Sequence, residues 1–138
     1  MKNLKGRSFV MLMIAIAVFA LFLRITVERL LKINIAQNES YAQATLKLIS
    51  TALENYAKDH LGAYPANISL LVQDNPRYLD RDYLAESPVK SYDYSCLRLD
   101  VSGYSCSAAP VKCNFSGRMV YAVTTGGVVI SQECSKKE

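Results

Sequence analysis

Between Gly6 and Gly62 the chain contains neither glycine nor proline, and this run of fifty-five residues includes, after Arg7 and Ser8, fifteen uncharged apolar ones, Phe9–Leu23 (FVMLMIAIAVFALFL). Glycine and proline are the strongest helix breakers, so nothing in the run interrupts a helix. At about 1.5 Å per residue such a helix is roughly 80 Å long, more than one small domain can cover. Its exposed apolar first part therefore needs lipid, other copies of itself, or both.

The periodicity after the apolar stretch supports the same helix. Leu31, Ile35, Ala42, Leu46, Ile49, Leu53 and Tyr56 follow steps of three, four or seven and so form one face. Lys32, Glu39, Lys47, Glu54 and Lys58 are expected on the opposite, solvated face. Gly62 is placed to end the helix in a left-handed cap, with Pro65 just beyond. Lys58 and His60 suit the negative end of the helix dipole, which makes His60 a helix-end residue rather than a ligand.

Phe9–Leu23 spans roughly 22 Å, a little less than a hydrocarbon core, and Ile25 and Val27 lengthen it while Arg24 reaches the headgroups. Lys2, Lys5 and Arg7 precede it without an intervening acid, whereas Arg24, Arg29 and Lys32 share their stretch with Glu28, which favours an N-terminus on the cytoplasmic side. A cleaved secretory signal is the competing reading. The apolar run ends in Arg24 rather than in a small-residue cleavage region, its one A-x-A (Ala15–Ala17) lies mid-stretch, and the helical pattern continues. The expectation is a single-pass anchor.

Beyond Gly62 the pattern changes twice. Residues 62–91 read as a loop with a short helical turn near Ile68–Val72, capped by Asn67 or Ser69 and held down by Tyr78, Leu79, Tyr83 and Leu84. From Tyr92 onward, short β-like runs at Tyr92–Leu99, Gly103–Ala109, Arg118–Thr124 and Val128–Ser131 alternate with turns at Asp100–Gly103, Asn114–Gly117 and Gly126-Gly127. Four short antiparallel strands are too few for a sandwich, but one face can cover the apolar stripe of the helix. The fold class is thus α+β: a basic leader (1–7), a transmembrane part of the helix (8–24), its amphipathic continuation (25–61), a loop region (62–91) and an antiparallel sheet (92–138).

Cys96, Cys106, Cys113 and Cys134 all fall within that sheet region, with nine, six and twenty residues between neighbours. No close C-x2-4-C pair suggests zinc, and two disulfides in an oxidising compartment fit better. Two connectivities stay open. Cys96 with Cys106 closes the first hairpin and leaves Cys113 with Cys134; Cys96 with Cys113 and Cys106 with Cys134 ties strands to the tail. The second is preferred, because bridging immediate neighbours constrains little.

The formal net charge of +4 does not signal nucleic acid, since three of the four charges come from Lys2, Lys5 and Arg7 and residues 62–138 carry eight cations against eight acids. With a single histidine, nucleophilic triads have no material, so no catalytic residues and no cofactor are expected. Asp80 and Asp82 read as turn residues, and Gly126-Gly127 as a hairpin turn rather than a phosphate loop.

The order of these parts resembles type IV pilins and the pseudopilins of type II secretion. The local matches are KGRSFVMLMIAIAV (Lys5–Val18), ATLKLISTALENYAKDHLGAYP (Ala44–Pro65) and YAVTTGGVVIS (Tyr121–Ser131), and the likeness covers nearly the whole chain. The resemblance implies a long helix packed by a small sheet, leader processing and methylation by a prepilin peptidase after Gly6, and assembly with other pilin or pseudopilin subunits through a helix face including Phe9, Leu12, Ile16, Phe19 and Leu23. It also implies a location in the inner membrane with the disulfide-bearing part outside the cytoplasm, or in a filament. Arg7 and Ser8 stand between Gly6 and Phe9, Phe9–Leu23 holds no acid, and tryptophan is absent, which points to a pilin-like or minor subunit. A stand-alone anchored binding module is the alternative.

Overall fold

The protein is described by a computed structural model covering residues 4–135, with side chains described from Ser8 onward. Helix α1 runs from Leu4 to Asp59 and is followed by a single helical turn and a bit, α2 (Ser69–Gln73). Four strands complete the fold: β1 (Tyr92–Asp100), β2 (Gly103–Pro110), β3 (Met119–Thr124) and β4 (Val128–Glu133). They form one antiparallel sheet in sequence order. The chain divides into two compact units, Met1–Asn34 and Ile35–Glu138, with α1 contributing to both.

The second unit holds the core. Ala42, Leu46, Ile49 and Leu53 of α1 are fully buried, as their spacing demands, against Tyr92, Tyr94, Tyr104, Cys106, Ala108, Tyr121 and Val123 of the sheet. Leu71, Leu79 and Tyr83 of the intervening segment close the same cluster, with Tyr78 and Leu84 partly buried beside it. Each fully buried leucine or isoleucine contributes about 1.5–3 kcal/mol, so this short stripe is the main stabilising element of α1 in this unit.

The end of α1 departs from expectation. The left-handed cap residue is Leu61 (φ 56°), and Gly62 (φ 88°) follows it. The Gly62 amide donates to the Ala57 carbonyl at 2.7 Å, the six-residue closure of a Schellman motif, which puts the chain reversal one residue earlier than the glycine. Asn67, not Ser69, caps α2: its Oδ1 accepts from the Leu70 amide at 3.2 Å.

The turns follow their chemistry. Asp100 accepts the Ser102 amide at 2.8 Å in the two-residue β1–β2 loop, and the β3–β4 turn uses positive φ at Gly126 (88°) and Gly127 (74°). A bulge between Cys96 and Arg98 leaves Leu97 pointing to solvent, 90% exposed. Gly117 is required for space, because a Cβ there would collide with the Tyr92 hydroxyl.

Candidate assembly and membrane surface

Among the described residues of the first unit, the large apolar side chains of α1 from Phe9 to Leu30, and Ile33, are exposed, and Leu31 is half-buried. Phe9, Leu12, Ile16, Phe19 and Leu23, spaced by three and four, lie on one helix face and are 51–66% exposed. A window of eighteen residues in this helix has a mean hydropathy of 2.6 and no buried residue, so α1 is long and apolar enough to cross a membrane. Gly6 lies in the backbone of α1 near its start, while Met1–Asn3 of the expected leader fall outside the described residues.

The same face continues further than the sequence reading carried it. Leu30 (56% exposed) and Ile33 (53%) extend the three-four spacing through the charged stretch Arg24–Lys32. The intervening Thr26 donates its hydroxyl to the Phe22 carbonyl at 2.8 Å. Arg24 and Glu28 pair at 3.5 Å one turn apart, off that seam. The missed signal was the heptad spacing itself, which runs unbroken from Phe9 to Ile33 if Thr26 is counted as apolar.

In the second unit, two acids expected on the solvated side instead hold the sheet to the helix. Glu54 Oε1 accepts the Gly126 amide at 2.8 Å and the Tyr104 hydroxyl at 2.9 Å, and its Oε2 accepts the Tyr64 hydroxyl at 3.1 Å. Glu39 accepts the Arg118 amide at 2.7 Å, and Asn38 donates to the Ser116 carbonyl at 3.0 Å. The face assignment failed because these acids flank the buried stripe rather than oppose it, and loop backbone amides reach them. Burial pushes the Tyr104 phenol up to about 12, with Glu54 adding to the shift, and it raises Tyr64 and Tyr92 as well. On the surface, the Arg98 guanidinium holds the Asp100 carboxyl well below the usual carboxylate range. His60 sits at the helix end as expected, stacked on Tyr56 with ring centroids 3.8 Å apart.

The disulfides are Cys96–Cys106 and Cys113–Cys134, which overturns the preferred pairing. The β1–β2 register sets Cys96 directly opposite Cys106, and Cys134, just beyond β4, meets the loop that carries Cys113. Loop entropy was the wrong criterion: doubling a loop changes the stabilisation by only about 0.6 kcal/mol, whereas strand register decides which sulfurs can touch. Cys106 belongs to the buried core and Cys96 packs against it, while Cys113 and Cys134 line an open groove of about 560 Å³ on the sheet's flank.

Among the described residues no cluster of His, Cys, Asp and Glu is arranged to hold a metal ion. The apolar face of α1 from Phe9 to Ile33 is exposed to its surroundings. No protein-family model matches the chain, and no curated protein matches it.

Proposed function

We propose that this protein is a structural subunit of a type IV pilus-like or type II secretion pseudopilus filament, anchored in the inner membrane and assembling with other copies through α1. The observation that carries the reading is the apolar seam from Phe9 to Ile33, exposed along its whole length. Lipid satisfies its first part. Leu30 and Ile33 lie among Arg24, Glu28, Arg29 and Lys32, where a hydrocarbon environment is unfavourable, so neighbouring helices are the better cover for them. The two disulfides support an extracytoplasmic sheet unit. Order of parts and local sequence, including ENYAKDHLGAYP (Glu54–Pro65), support the family assignment, and the lack of acid in Phe9–Leu23 favours a pilin-like or minor subunit. The role is non-catalytic.

The test is the intact mass of the membrane-extracted chain together with its recovery in sheared surface filaments. Loss of the segment ending at Gly6, with the chain present in filaments, is the expected result. A full-length chain that never enters filaments would instead support an anchored binding module, a reading favoured by the self-contained core of Ile35–Glu138.

A further inference from the structure

We infer that Cys113–Cys134 is a redox-addressable bridge that governs the docking of β4 and is reduced by a dithiol ahead of Cys96–Cys106, whose Cys106 is buried. Two independent observations meet here. The first is access. Cys113 and Cys134, both half-buried, line the open groove together with Ala109, Pro110, Val120 and Gln132, whereas in the other bridge Cys96 is also half-buried but Cys106 is 1% exposed, so one of its two sulfurs belongs to the core. Thiol–disulfide exchange needs a thiolate to reach a sulfur in line with the bond, so the groove decides which bridge reacts.

The second is leverage. Every residue of β4 is exposed, including Val129, whose register partner Val123 is fully buried. β4 therefore adds no buried side chain to the core. It is retained by its ladder to β3, by the bond from Gly126 in its turn to Glu54, by the Cys134 amide donating to the Arg118 carbonyl at 2.8 Å, and by the bridge just after its last residue. The opposite edge of the sheet differs: Val89 pairs with Tyr92, and the Ser87 hydroxyl accepts the Tyr94 amide at 2.7 Å, so β1 is covered. A strand held by backbone bonds alone is poorly retained, because the entropy of ordering it offsets those bonds.

A thiolate of the dithiol attacks one sulfur of the bridge, forming a mixed disulfide and releasing the other protein sulfur as thiolate. The second thiol of the reagent then displaces the remaining protein sulfur. The protein bridge gains two electrons, the dithiol becomes a cyclic disulfide, and the protons from its thiols pass to the two protein thiolates. β4 is then free to leave β3, turning at Gly126-Gly127, and exposes the β3 edge for pairing.

The experiment uses the full chain in detergent micelles, reduced stepwise with dithiothreitol and followed by thiol alkylation with peptide mapping and by amide hydrogen exchange. Cys113 and Cys134 are expected to be alkylated about tenfold or more faster than Cys96 and Cys106. At that stage the Val128–Glu133 amides lose protection by about tenfold or more, while Tyr92–Pro110 keep theirs. The double variant Cys113→Ser/Cys134→Ser should show the same exchange pattern without reductant, and Cys96→Ser/Cys106→Ser should leave β4 protected. If either variant fails to fold, stepwise reduction of the unmodified chain still decides. Equal alkylation rates for the two bridges overturn the inference, and so does a singly reduced chain whose β4 amides remain protected.

Discussion

Leu61 occupies the left-handed cap of α1 with its side chain fully in solvent, so it carries the steric cost of positive φ without any packing return. Leu61→Gly is expected to stabilise the fold by about 1 kcal/mol, read as a rise in Tm of about 4–8 °C. Glu54 works in the other direction. Its carboxylate accepts from Gly126, Tyr104 and Tyr64, and Glu54→Ala removes the acceptor of the Gly126 amide and the Tyr64 hydroxyl, while Tyr104 keeps the Ser50 hydroxyl at 2.9 Å. The expected cost is about 2 kcal/mol in urea unfolding, and a change below the error of that measurement would mean that water replaces the carboxylate. Tyr104 beside it gives a pH signature. Its pKa is raised to about 12 in the folded chain against about 10 unfolded, so the folded state holds the proton more tightly. Its contribution is present in full below pH about 10 and is lost as pH rises towards about 12. The urea midpoint should fall across that window, and Tyr104→Phe should flatten the fall.

α1 is one helix with two kinds of apolar face. From Ala42 to Leu53 its stripe is buried by the chain's own sheet, and from Phe9 to Ile33 its seam is bare. Placing a charge in the middle of the bare seam tests what covers it. Ile16→Asp is expected to cost about 3 kcal/mol of membrane insertion and to move the chain from the membrane pellet to the soluble or degraded fraction. Ile33→Asp, outside the most apolar stretch, should leave membrane retention intact and reduce crosslinking between copies. If both substitutions affect only retention, the seam serves lipid alone. β4 is the matching case in the sheet. Its alternation was readable as a strand, yet its side chains build no core, since all six residues are exposed.

The division at Asn34/Ile35 makes the second unit complete in its core, its sheet and both bridges. Residues 35–138 exported without the first unit are therefore expected to stay in solution with no free thiol. Recovery only as reduced aggregate would show that the core needs more of α1 than the stripe from Ile35 to Ala57.

Much of this fold was legible in the chain itself, where one-dimensional signals are strong. The glycine- and proline-free run, the three-four spacing of Leu46, Ile49 and Leu53, and the Asp100 and Gly126-Gly127 turns each depend on near neighbours, so local chemistry specifies them. The bare seam was legible only in part, because Thr26 hides its continuation until its hydroxyl is seen bonded to Phe22. What tertiary structure alone decided depends on residues far apart in the chain. The sheet register, through a bulge no composition announces, brings Cys96 to Cys106 and leaves Cys113 to Cys134. The docking of two loops onto α1 turned Glu39 and Glu54 from expected surface charges into acceptors for backbone amides. The physical reason is common to both: a periodicity says which face a residue shares, but not which distant donor or sulfur will lie within reach of it.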